Sequence, residues 1–333
     1  MLMQQAAKPV SHWVTSWLIL IALMIATMVV VGGATRLTGS GLSITEWKPI
    51  MGAIPPLNSA DWELAFSKYQ QSSQFKLQNS AMTLQEFEFI FWWEWAHRLL
   101  GRLIGVVFFL PFVIFAALKM LPKRIWPQLI GIFILGGLQG ALGWYMVASG
   151  LVDRVSVSQY RLAAHLTLAA IIFAFVLWVA FALNRRHHRP KSGAAWLGLS
   201  LVPLILLQIA AGGFVAGLDA GQGYNTWPLM EGALLPAGLG TMQPWWANLF
   251  ENALTVQFDH RLLAYLICVL VLVRAFIARN TSSLVLLAFV LIQIGLGITT
   301  LLLHVPLDLA LLHQSGAMAL LAASVWNLSR LTR

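Results

Sequence analysis

One cysteine in 333 residues, Cys268, lies inside an apolar run. No disulfide framework, thiolate iron–sulfur cluster or cysteine-rich zinc site can be built within one chain from it. Charge is scarce too: 10% of residues are charged against 59% hydrophobic, and mean hydropathy is +0.77. A soluble domain carries about a quarter charged residues, so this balance identifies an integral membrane protein. Basic residues are also missing from particular places. Residues 218–258 hold no Lys or Arg, and neither does the turn at 304–308. The net charge of +9 therefore lacks the continuous placement a nucleic-acid surface needs, and no such partner is expected.

What is present is long apolar runs. Crossing the hydrocarbon layer takes about 20 mostly apolar residues, and eight stretches qualify, near 17–35, 98–118, 127–148, 162–183, 195–217, 261–278, 284–303 and 309–328. Continuous runs of this length satisfy their backbone in lipid as helices, not as alternating barrel strands. The expected fold is all-α, with eight transmembrane helices. Lys119, Lys123 and Arg124 follow span two, Arg185, Arg186, Arg189 and Lys191 follow span four, and Arg274 and Arg279 lie at the end of span six; Arg330 and Arg333 close the chain. The positive-inside rule then places both termini in the cytoplasm. The 36–96 segment carries Arg36, Lys48, Lys68 and Lys76, but long loops translocate largely regardless of charge. Lys8 before an apolar run imitates a secretory signal, yet the run is long and its Gly-Gly ending recurs later, so span one is expected to be retained. The opening residues lack the character of an organelle transit peptide, which favours a bacterial inner membrane.

The chain is internally duplicated. Gly32-Gly33 matches Gly212-Gly213, and the same offset aligns Gly41 with Gly221, Trp47 with Trp227, Gly52 with Gly232 and Pro56 with Pro236. After a shortening of the second loop, His97-Arg98-Leu99-Leu100 aligns with His260-Arg261-Leu262-Leu263. Gln139 and Gly143 align with Gln293 and Gly297, and His165 with His313. An even number of spans per repeat makes the repeats parallel. Two four-helix bundles are expected, residues 1–190 with the long outer loop 36–96, and residues 191–333.

Spans two, four, six and eight all start on the outer face, so His97, His165, His260 and His313 share one depth toward the periplasm. One buried His can simply bond a neighbour; four at repeat-equivalent sites point to ligation. Two imidazoles per half suit heme iron, since closed zinc and copper sites recruit more protein ligands. Arg98 and Arg261 are either propionate partners or interfacial anchors that snorkel. Glu94, one turn before His97, is replaced in the repeat by Gln257. It reads either as an acid–base group or as an interfacial carboxylate held by Arg98 or solvated among Trp92, Trp93 and Trp95. Residues 83–96 read as an interfacial helix leading into span two. His12, His187 and His188 sit in polar segments, and His304 has no repeat counterpart.

The run Gly32-Gly33-Ala34-Thr35-Arg36-Leu37-Thr38-Gly39-Ser40-Gly41-Leu42-Ser43, with Trp47, Pro49, Pro55-Pro56 and Glu94-Trp95-Ala96-His97-Arg98-Leu99-Leu100-Gly101-Arg102, resembles the heme A synthase family over essentially the whole chain. The resemblance implies oxidation of a methyl group of heme O to a formyl group by successive hydroxylations. It implies that His260 and His313 ligate a resident heme b, that His97 and His165 hold substrate heme O, and that Glu94 is the family's acidic residue. Some members carry a cysteine pair in the first outer loop, which this sequence lacks. A heme O synthase and an electron donor are the partners implied; a homo-oligomer is left open. The alternatives are a di-heme b-type cytochrome passing electrons from a quinol, which gives Glu94 no special purpose, and a transporter of parallel repeats, which would bind no heme.

Overall fold

A computed structural model describes residues 10–48, 50–183 and 193–331. Pro49, His187, His188, Lys8, Arg333 and the basic residues Arg185, Arg186, Arg189 and Lys191 lie outside the described residues. Among the described residues eight helices are long and apolar enough to cross a membrane: α1 (His12–Leu37), α2 (Leu84–Ala117), α3 (Trp126–Asp153), α4 (Gln159–Ala182), α5 (Gly193–Gly217), α6 (Ala253–Ala278), α7 (Thr281–Leu302) and α8 (Leu307–Leu331). The expected all-helical, eight-span fold is what forms. Residues 83–96 lead into span two without interruption. They are the first turns of one 34-residue helix, because Thr83 and Glu86 close a capping box at its start and nothing after them breaks the helix before the apolar run.

Helix starts follow local chemistry. Ser11 caps α1, Asn252 caps α6 through the amides of Leu254 and Thr255, and Asn280 with Ser283 closes a capping box on α7. Pro127 opens α3, where its missing N–H costs nothing. Pro111 and Pro203 sit inside α2 and α5, as membrane helices tolerate.

Packing makes two rings. In the first, α1 packs on α2, α2 on α3, α3 on α4 and α4 back on α1; in the second, α5, α6, α7 and α8 close in the same order. The rings meet through α1, α4, α5 and α8. Burial follows: half of the apolar window of α4 and 39% of that of α1 are buried, against 6% in α2 and α3, which face outward. Gly213 and Gly217 bring α5 against α4 so closely that an added Cβ would stand 2.9 Å from Ala163 Cα and 2.6 Å from Gln159 Cα. This is the small-residue contact by which helices associate in lipid, where burial of apolar surface gives no drive. On the other side of the interface, Gln314 of α8 donates to the Val29 carbonyl of α1 at 2.7 Å, and its amide fits only because residue 33 is Gly. Arg36 crosses to the end of α5, donating to the Ala216 carbonyl and pairing with Asp219.

Between α1 and α2 the chain builds a cap of its own. Helices Ser59–Tyr69 and Ser73–Gln78 enclose Tyr69 and Phe87 in a satellite cluster with Phe66, Phe75 and Phe91. The Tyr69 hydroxyl donates to Gln74 Oε1 and accepts from Asn79 Nδ2, and Gln74 Nε2 donates to the Gly39 carbonyl at 3.0 Å. The cap is thereby fastened to the segment leaving α1. The second connection is shorter and is knotted by Asn248 and Asn252, which bond Met242, Trp245 and Gly238 backbone atoms.

Candidate heme-binding sites

In each ring the histidines stand on a diagonal: His97 on α2 and His165 on α4, His260 on α6 and His313 on α8. Neighbouring helices pack about 8–10 Å apart, so diagonal helices stand further apart and their side chains must span the centre. His97 and His165 thus belong to one ring, and His260 and His313 to the other. His304 is exposed in the turn before α8 and His12 is exposed at the start of α1, apart from both pairs.

Each imidazole rests on a glycine of the preceding helix. A Cβ added at Gly32 would stand 3.1 Å from His97, at Gly143 2.9 Å from His165, at Gly212 3.2 Å from His260, and at Gly297 2.9 Å from His313. These four clefts admit an aromatic ring only because the facing residue has no side chain. One turn before three of those glycines stands a glutamine. Gln139, Gln208 and Gln293 donate Nε2 to the main-chain carbonyls of His165, His260 and His313 at 3.0, 3.0 and 2.8 Å.

The residues fit heme on observations of this structure. Each half offers two imidazoles from opposite corners of an apolar four-helix ring, which is what two axial positions require. The Nδ1 of His165 and the Oε1 atoms of Gln139, Gln208 and Gln293 are buried without a hydrogen-bond partner. Buried polar atoms left so are uncommon and mark sites completed by something else. Among the described residues no three His, Cys, Asp or Glu side chains gather as a closed zinc site would need.

Beside the histidines, the repeat keeps the arginine bonds to the outer connection. Arg98 donates to the carbonyls of Ile44 and Glu46, and Arg261 to those of Tyr224 and Thr226, the repeat-equivalent positions. Arg98 also holds Glu94 Oε1 at 2.6 Å where Arg261 holds Gln257 Oε1 at 2.7 Å. Both arginines therefore tie the outer connection to the histidine helix. Arg98 adds its Nε–H to Glu94, while the Nε of Arg261 is buried without a partner.

Glu94 is 2% exposed. Its Oε2 accepts from the Ser43 hydroxyl and the Ile44 amide, both at 2.7 Å, and its Oε1 from Arg98. Gln257 is equally buried, but its Nε2 donates to the Ala220 carbonyl at 2.7 Å. The carboxylate is thus gripped by donors, and the amide replaces one such grip by a donation of its own. Ser43, Gln208 and Met28 were not evident as site residues from sequence. The signal that finds Gln208 is the four-residue Gln–Gly spacing on α3, α5 and α7, where α1 has Met28 before Gly32; no such spacing marks Ser43.

Comparison with known proteins agrees with this architecture. Residues 15–325 match the COX15-CtaA family, described as cytochrome oxidase assembly protein. The chain is 54% identical to the heme A synthase of Azorhizobium caulinodans, over 94% of this chain and 92% of that protein. It is 49% identical to the heme A synthase of Parvibaculum lavamentivorans over 97% and 95%, and 50% identical to that of Maricaulis maris over 96% and 97%. With eight membrane-spanning helices, two diagonal histidine pairs and a match along nearly its full length, this chain belongs to the COX15-CtaA family of cytochrome oxidase assembly proteins.

Proposed function

We propose that this multi-pass membrane protein is a heme A synthase, a membrane oxidoreductase that converts a methyl substituent of heme O to a formyl group. The observation that carries the reading is the pair of histidine sites, alike in scaffold and different at Glu94 and Gln257, in a chain about half identical to bacterial heme A synthases. His97 and His165 of the 1–190 half hold substrate heme O; His260 and His313 of the 191–333 half hold heme b. Heme b, when bound, supplies one-electron transfer.

This chain's own residues do the rest. The apolar walls of α1 to α4 exclude water from the reacting edge, and the cap over 38–96 closes the outer end. With water as the oxygen source, each hydroxylation of the methyl takes up one water and releases two electrons to an external acceptor and two protons, and the twice-hydroxylated carbon loses water to give the formyl group, so a proton acceptor is required beside the first-half site. Glu94 is that acceptor: its Oε2 stands at the Ser43 hydroxyl and the Ile44 amide, and Arg98 on Oε1 fixes its orientation. Gln257 cannot accept a proton, which suits a site that only passes electrons. Arg98 serves mainly to hold Glu94 and the outer segment, while Arg261, with its Nε–H still to be satisfied, pairs with a heme b propionate.

The orientation proposed is both termini in the cytoplasm and both sites toward the periplasm, in a bacterial inner membrane. It is supported by Lys119, Lys123, Arg124, Arg274, Arg279 and Arg330 on one side and by the absence of Lys and Arg from 218–258 on the other. A heme O synthase supplies the substrate and a separate donor or acceptor exchanges electrons.

The test is expression in a host that makes heme O but no heme A, with extraction and mass analysis of bound hemes. Wild type yields hydroxylated and formylated heme O. Only heme b in the extract would leave an electron-carrying cytochrome, and a colourless protein would remove the heme sites altogether.

A further inference from the structure

The two rings differ in how far side chains fill them. Gly105 of α2 and Gly136, Gly137 and Gly140 of α3 would each meet nothing within 4 Å if given a Cβ. They are therefore not contact glycines of the kind seen at Gly213 and Gly217, where an added Cβ would stand 2.9 and 2.6 Å from the backbone of α4. In the repeat register their places are taken by Cys268, Val290, Leu291 and Ile294. Val290 is buried in the apolar core, and Cys268 and Ile294 pack against that core. The first half keeps open what the second half fills.

The opening has two closed ends. Phe133, Gly137, Gly140 and Trp144 recur at helical spacing and share one face of α3. At the inner end of that face Phe133 meets Phe108 and Phe109 of α2, with ring centroids 6.2 and 5.8 Å apart. At the outer end Trp144 meets Trp47 of the outer connection at 6.5 Å. Between these clasps the seam of α2 and α3 is bordered by Gly105, Gly137 and Gly140, on the two helices that are turned furthest toward lipid. Gly136 lies two turns from Gly143, on the same face, and His165 rests on Gly143, so the opening is continuous with the first-half site. Beside it, Oε1 of Gln139 and Nδ1 of His165 are buried without a hydrogen-bond partner. A gap that ends on unsatisfied polar atoms is one that a ligand completes.

We propose that this gap takes the isoprenoid side chain of heme O, which heme b lacks, and that Gly105, Gly136 and Gly140 are the residues that select the substrate. The second half, filled at the same places, takes the heme without that chain. The proposal rests on the reading that each half holds a heme, and it assigns the two hemes by room rather than by ligation, since both halves offer two imidazoles. Between α2 and α3 the chain passes into surroundings as apolar as itself and needs no polar partner.

Titration of the purified full-length protein, its second half already loaded with heme b, separates room from ligation. Heme O and heme b are added in the same detergent, without oxygen or an electron acceptor, so that nothing turns over. The wild-type first half is expected to bind heme O on the order of tenfold or more tighter than heme b, which is what a few methylenes in a fitted apolar pocket supply. Gly140→Ile, which installs the second-half residue, is expected to abolish that preference by weakening heme O alone, with the affinity for heme b and the melting temperature kept. Equal affinity of the wild-type first half for the two hemes overturns the proposal, and so does a Gly140→Ile protein that weakens both hemes alike or neither. If Gly140→Ile does not fold, the wild-type comparison decides alone. A first half that binds neither heme fails earlier, at the reading on which the proposal rests.

Discussion

The two halves share a scaffold and part company at the side chains that would touch chemistry. Arg98 and Arg261 make the same bonds to equivalent carbonyls, and each histidine meets its glycine. Yet Glu94 stands against Gln257, Met28 against Gln208, and a helical cap of 38–96 against a shorter asparagine-knotted connection. Duplication fixes where ligands can stand because packing tolerates little change in a helix ring. The halves then differ at positions that bond to the histidine helix without holding the ring together.

The sharpest way to break the comparison is to remove ligands half by half. His97→Ala and His165→Ala are expected to lose heme O products entirely while keeping heme b; His260→Ala and His313→Ala are expected to lose heme b, measured by extracted heme. Loss of both hemes from every variant would end the division between halves. Next is the exchange of Glu94 and Gln257. Glu94→Gln, nearly isosteric and still able to bond Arg98, is expected to lower turnover about 10²–10⁴-fold with heme binding kept, whereas Gln257→Glu should leave the second half inert toward substrate. A Glu94→Gln protein that oxidises at the native rate refutes the role of the carboxylate.

Smaller effects probe the scaffold. Gly143→Val and Gly297→Val put side-chain atoms where His165 and His313 stand, and each is expected to destabilise by about 1–3 kcal/mol and lower the heme content of its own half, read by thermal melting and absorbance. Tyr69→Phe leaves Gln74 and Asn79 short of a partner in the cap and is expected to cost about 1–3 kcal/mol locally, seen as faster hydrogen exchange in 59–79 with the second connection unaffected. The slightest is electrostatic. Lys68 and Lys48 hold the Glu46 carboxyl below its ordinary 4.5. A lowered folded-state value means its contribution is complete above that ordinary value and is lost as pH falls through the depressed one. Because the group is largely exposed, salt should screen the effect; acid-dependent loosening of the cap that 1 M salt does not change would point elsewhere.

Much of this was legible in residue order. Long apolar runs have one stable form in lipid, so eight helices followed from hydropathy alone. The register of Gly32-Gly33 with Gly212-Gly213 and of His97-Arg98 with His260-Arg261 named the histidine pairs before any coordinates. Glu94 was legible as a site residue but not in its surroundings, because Ser43 and Ile44 lie some fifty residues away along the chain and reach it through a loop whose path no periodicity encodes. The helix over 83–96 was legible as one leading into span two, but composition did not show that helical hydrogen bonding runs through the join without interruption.

By itself, then, the amino-acid order determined the number of helices, their duplication and the four imidazoles, since each depends on local apolarity or on spacing within a segment. Tertiary packing alone decided that His165, His260 and His313 lie beside an amide, and that the carboxylate of Glu94 is held by Ser43, Ile44 and Arg98. Those facts depend on which face of one helix meets which face of another, and that is set by the closure of the whole ring rather than by any stretch of it.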